Sequence, residues 1–188
     1  MSTTAQPSKP KRRWYQFSLL MFLISLTAFA MWFGWSMHKA HEQRNVVAWV
    51  EKMGGTVGYD YEVRWDGNLY DGPEPPGPVW LRKILGMDFM DDVVLVDLGA
   101  TPVTDLNPLA GLAQLEHLSL MDTQVSDLAP LARLTNLKCL YLYGTQTSDL
   151  TPLAGLTNLV ILGVGDFVSE EEAAKLRLAL PNCTIWWR

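Results

Sequence analysis

Apolar residues fall along this chain in two patterns that do not mix. Residues 17–37 (FSLLMFLISLTAFAMWFGWSM) form an uncharged run of 21. As a helix, that run reaches about 32 Å, close to the ~30 Å hydrocarbon core of a bilayer. From Thr101 the apolar positions recur instead every 22 residues. The units are TPVTDLNPLAGLAQLEHLSLMD (101–122), TQVSDLAPLARLTNLKCLYLYG (123–144) and TQTSDLTPLAGLTNLVILGVGD (145–166), and nine of the 22 positions are identical in all three. Within a unit the period changes. Leu118 and Leu120 alternate with polar neighbours, which predicts a half-buried strand. Leu109, Leu112 and Leu115 then recur at spacing three, which predicts a 3₁₀ turn.

Each unit carries Asp-Leu-x-Pro-Leu before its turn. Asp105, Asp127 and Asp149 are placed to cap that turn, and the proline near its start gives up an N–H that would be unpaired anyway. Self-similarity at 22 residues with Leu-x-x-Leu-x-Leu spacing is the mark of a leucine-rich repeat. Over about residues 91–188 the chain resembles the internalin-like class of such repeats. The resemblance implies an α/β fold: a short solenoid of parallel strands with 3₁₀ or short-helix returns, each unit burying its leucines against its neighbours. Many such repeats place a structural asparagine where this chain has Thr101, Thr123 and Thr145, whose hydroxyls supply part of the same hydrogen bonding.

The flanks fit such a solenoid. Residues 91–100 (DDVVLVDLGA) align with the strand half of a unit, through Val93, Val96 and Leu98. Residues 168–180 predict a helix with Ser169 as N-cap and Ala173, Leu176 and Leu180 on one face. Residues 181–187 then mimic a last strand, so 167–188 reads as a C-terminal cap. Upstream, 38–53 predicts a helix ending at Gly54-Gly55, 56–64 a strand, 71–78 a Pro/Gly-rich loop and 80–85 a short helix. Together 38–90 reads as an N-terminal cap region. A basic N-terminus, one span and 22-residue repeats resemble small membrane-anchored repeat proteins of bacteria.

Charge changes the picture at the N-terminus. Lys9, Lys11, Arg12 and Arg13 give residues 1–14 a balance of +4 in a chain of net −5. The remaining −9 argues against a nucleic-acid partner. Trp14 and Tyr15 at one end of the run, with Trp32, Phe33 and Trp35 near the other, suit headgroup level. We read 1–14 as a cytoplasmic tail, 15–37 as a single-pass transmembrane helix, and the repeats (91–166) as lying outside, periplasmic or extracellular. Ala28-Phe29-Ala30 offers a signal-peptidase site, but the apolar run continues beyond it and exceeds a usual signal core.

Little in the sequence points to catalysis, and no metal or cofactor site is assigned. No His-Glu-x-x-His, Cys-x-x-Cys, Walker loop or Gly-x-Ser-x-Gly occurs. Asp66, Asn68 and Asp71 hint at calcium, but their spacing fails an EF-hand loop. Cys139 and His117 should be neighbours one repeat apart, without an orienting group or oxyanion pocket. Cys139 and Cys183 lie too far apart for a disulfide. If the leucines point inward, the outward columns read Leu95, His117, Cys139, Ile161; Asp97, Ser119, Tyr141, Gly163; and Gly99, Met121, Tyr143, Gly165. His117, Ser119, Met121, Cys139, Tyr141, Tyr143 and Ile161 are therefore the candidate protein-binding residues, because tyrosine and methionine are enriched at interfaces. The expected partner is a protein or peptide. The alternative is a structural, envelope-associated repeat protein with no discrete ligand.

Overall fold

The computed structural model describes residues 19–60, 62 and 91–187. The expected loop at 71–78, the short helix at 80–85 and the Asp66/Asn68/Asp71 turn lie outside these residues. The chain divides into two units, Met1–Ser36 and Met37–Arg188. Helix α1 (Leu19–Met53) contributes to both.

In the first unit α1 presents apolar side chains outward throughout, including Phe22, Phe29, Trp32 and Trp35. The Ser25 and Thr27 hydroxyls donate to the carbonyls of Phe22 and Ile24 at 2.8 and 2.9 Å. Their polarity is thus satisfied within the helix. Phe29 stacks on Phe33 with ring centroids 6.0 Å apart. This helix is long and apolar enough to cross a membrane, by length and composition.

The second unit opens on the rest of α1, which turns Ala40, Gln43, Val46 and Val50 inward. That spacing makes one helical stripe. Buried Gln43 donates from Nε2 to the Asp91 carbonyl at 2.8 Å, and Lys39 pairs with Asp92 at 2.6 Å. Gly54, at φ +88°, ends the helix in a left-handed turn. Gly55 then has no room for a side chain: a Cβ would sit 2.6 Å from the Asp97 carbonyl oxygen and 2.9 Å from Val50.

Six strands follow in sequence order within one sheet. β1 (Thr56–Tyr59) pairs antiparallel with β2 (Val93–Asp97). β3 (His117–Ser119), β4 (Cys139–Leu142), β5 (Ile161–Val164) and β6 (Thr184–Trp187) continue it in parallel. Strand β1 is shorter than the pattern over 56–64 predicts, and its register slips between Gly58 and Tyr59. Between strands lie the 3₁₀ turns η1 (Asn107–Gly111), η2 (Ala129–Arg133) and η3 (Thr151–Gly155). In the last unit, helix α2 (Glu170–Ala179) takes the place of that turn. Ser169 caps it by accepting from the Glu172 amide, and Ala173, Leu176 and Leu180 join the core.

Repeating chemistry fixes the coil. Leu118, Leu140 and Leu162 stand in register and are fully enclosed. Thr101, Thr123 and Thr145 donate back to the carbonyls of Leu98, Leu120 and Leu142 at 2.6–2.8 Å, which satisfies buried acceptors where an asparagine was missing. Asp105, Asp127 and Asp149 accept from the amides of Asn107, Ala129 and Thr151 at 2.8–2.9 Å. Each aspartate stands one residue before the helix-start leucine, so its carboxylate holds the turn entry as an Asx turn. Asn136 and Asn158 reach back one unit, donating to the carbonyls of Ala113 and Thr135. These amides clasp neighbouring turns, a role the sequence pattern did not reveal.

Candidate functional site

The strand face is built by alternation: inward leucines force their neighbours to the other side of the sheet. Parallel register then lines equivalent positions into rows. One row runs Leu95, His117, Cys139, Ile161, Thr184, and the next runs Asp97, Ser119, Tyr141, Gly163, Trp186. The candidate residues His117, Cys139 and Ile161 therefore share the first row, and Ser119 and Tyr141 the second. Met121 and Tyr143 lie two residues beyond Ser119 and Tyr141, past the ends of β3 and β4.

The rows differ in exposure along their length. Leu95 and His117 face away from the leucine core, yet are only 8% and 7% exposed. His117 is thus a covered position and a poor contact residue as the face stands. Cys139, Ile161, Tyr141, Tyr143 and Met121 are half-buried, and Trp186 is 57% exposed. The first row is accessible only in its C-terminal half, while the second is also open at its start through Asp97.

Tyrosine geometry dominates the C-terminal half of the face. The Tyr141 and Tyr143 rings stack with centroids 6.3 Å apart and planes at 29°. Tyr143 lies over Gly163: a Cβ there would fall 2.5–2.8 Å from its ring and hydroxyl oxygen. The missing side chain at Gly163 is what lets the ring approach β5 so closely. Burial pushes the Tyr141 phenol above its ordinary value, helped by Cys139 and Tyr143, so it stays neutral. Ser119, in the same row, has a buried hydroxyl oxygen with no hydrogen-bond partner among the described residues.

Trp186 was missed as part of this row for a definable reason. The units repeat every 22 residues, but the β5–β6 register pairs Gly163 with Trp186 and Leu162 with Ile185, a spacing of 23. Helix α2 adds the extra residue. A strict 22-residue count would have put Ile185 in the outward row, whereas Ile185 is buried.

Cys139 and His117 are adjacent in register, as spacing predicted. Burial pushes the Cys139 thiol up, only partly offset by Lys138, and Glu116 adds to the rise. The thiolate a nucleophile needs is therefore disfavoured. Both cysteines are free.

The 22-residue coil, its in-register parallel strands and its leucine columns define a leucine-rich-repeat fold. No protein-family model matches the chain, and no curated protein matches it. Among solved structures it is similar to internalin C2 from Listeria monocytogenes, at 41% identity over 47% of this chain and 38% of that one, with a TM-score of 0.44. It is also similar to a leucine-rich-repeat protein of Leptospira interrogans (24% identity, 63% of this chain, 30% of that one, TM-score 0.44). A further internalin from Listeria monocytogenes aligns at 22% identity over 56% of this chain and 40% of that one, TM-score 0.38. The chain spans well under half the length of each.

Proposed function

We propose that this protein is a non-catalytic interaction module, held to the cytoplasmic membrane by α1 with its repeats outside, which binds a protein or peptide through the strand face. The observation that carries this reading is the stacked Tyr141–Tyr143 pair, with the Tyr143 ring in the space that a side chain at Gly163 would fill. Rigid aromatic groups on a preorganised sheet lose little entropy on binding and commonly dominate interface energies. The raised thiol of Cys139 favours binding over catalysis. The apolar, internally satisfied first half of α1 favours an anchor, and the Lys/Arg excess before it favours an inside N-terminus.

Two experiments test this. A reporter active only outside the cytoplasm, fused after Arg188, should be active while the intact N-terminus is retained; a mature form beginning at Met31 would replace the anchor with a cleaved signal. For the face, Tyr141→Asp should abolish capture of the partner from membranes, while Ala132→Asp on the exposed surface of η2 should not. Equal capture by both would remove the binding face and favour a structural envelope role.

A further inference from the structure

The accessible part of the strand face is aromatic and bordered by acids. Tyr141 and Tyr143 tile it from β4 onto β5, and Trp186 continues the row on β6. Asp97 heads the same row on β2, with an exposed side chain. Asp122 and Asp166, both exposed, follow the exits of β3 and β5. The Asp122 carboxylate lies against Gly144, the residue after Tyr143, where a Cβ would collide with it.

Among the described residues, no cation is placed along this border. Over residues 91–187, Asp and Glu outnumber Lys and Arg twelve to four. Arg133 ends η2, and Arg177 lies on α2. Lys138 precedes β4 and is paired with Glu116 at 2.6 Å. Lys175 on α2 is held by Glu171 and Glu172. No described base therefore follows a strand exit. Aromatic faces attract cations through their quadrupole, and the neighbouring carboxylates act in the same direction. A planar guanidinium uses both, stacking on a ring while pairing with an acid.

Spacing sets the form of the ligand. From Asp97 to Trp186 the row crosses four strand intervals, about 19 Å at ~4.8 Å each. An extended peptide places alternate side chains about 6.8 Å apart, so three or four of them span the row. Resting on the reading that this face binds a protein, we propose that it recognises an extended, arginine-rich segment of the partner. Alternate guanidinium groups stack on Tyr141, Tyr143 and Trp186 and pair with Asp97, Asp122 and Asp166.

The test uses the full chain in nanodiscs of zwitterionic lipid. Three labelled nine-residue peptides alternate threonine with arginine, with citrulline (planar but uncharged), or with glutamate, and binding is read by fluorescence anisotropy. The arginine peptide should bind at least about tenfold tighter than the other two, with affinity falling as salt screens the acids. Tyr143→Ala should weaken it about tenfold or more, whereas Tyr143→Phe should restore it. Combined Asp97→Asn, Asp122→Asn and Asp166→Asn should weaken the arginine peptide towards the citrulline one; asparagine tolerates the left-handed backbone of Asp122. Circular-dichroism melts check that each variant folds. Equal binding of arginine and citrulline peptides, lost in Tyr143→Ala, would refute the charge preference and leave the face as a binding surface. Arginine-peptide binding unchanged by Tyr143→Ala would show diffuse attraction to an acidic body and refute the site. Binding by none of the three would refute the ligand class.

Discussion

Leu140 is the residue on which the coil's packing can be weighed. It is 0% exposed, and in register it lies between Leu118 and Leu162, which are equally enclosed. Leu140→Ala removes three carbon groups, a transfer loss of about 2.4 kcal/mol at ~0.8 kcal/mol each. A cavity adds to this, because the flanking leucines are pinned by strand register on both sides and cannot move in. The total should fall near 3–4 kcal/mol, within the range of about 2–5 measured for such truncations. In a unit of this size that lowers the melting temperature by roughly 6–16 °C. Thermal unfolding of the full chain in neutral nanodiscs, followed by circular dichroism, reads the shift. Leu178→Ala is the control, since Leu178 on α2 is 88% exposed and its loss should change stability by less than about 0.5 kcal/mol. Equal shifts for the two variants would refute the assignment of Leu140 to the core.

Three further outcomes follow from particular contacts. Ser119→Ala should leave stability unchanged or raise it by up to about 1 kcal/mol, because its buried hydroxyl has no partner among the described residues; a melting temperature several degrees lower would show that the hydroxyl is paired. The Asp149 carboxyl is held below the usual carboxylate range, chiefly by hydrogen bonds from Thr151. Its folded value is depressed, so the contribution to stability is present above the ordinary carboxyl value and is lost as pH falls through the folded one. An NMR titration should find that low midpoint, and Asp149→Asn should flatten the acid limb of stability against pH. Truncation after Asp166 would uncover Leu156, Leu159 and Leu162, at about 1.5–3 kcal/mol each, so the fragment should aggregate or unfold; a monomeric fragment with cooperative unfolding would remove any capping role for α2 and β6.

The repeat carried most of the architecture in its spacing. Leucine columns, 3₁₀ turns and the rows through β5 all follow from one period, because each residue's neighbour lies 22 positions away. Where the period broke, sequence reasoning lost its grip. Helix α2 shifts the last register to 23, and Trp186 entered the face unannounced. Alternation also assigns a side of the sheet and says nothing of what else covers it, which is why Leu95 and His117 are outward yet buried. The antiparallel β1 was half legible: its apolar alternation marked a strand, but pairing with β2 depends on the chain's path through Gly54 and Gly55. Threonine in place of asparagine left the turn chemistry open until the hydroxyl-to-carbonyl bonds were seen.

If the strand face alone meets a partner, proximity labelling should separate it from every other surface of the repeats. A photo-crosslinking amino acid placed in intact cells at Tyr141, Tyr143 or Trp186 reads this directly, with exposed Ala132 on η2 as the opposite-side control. All three face positions should give the same discrete adduct, and position 132 none. An adduct formed equally from position 132, or from position 132 alone, would contradict binding by the strand face.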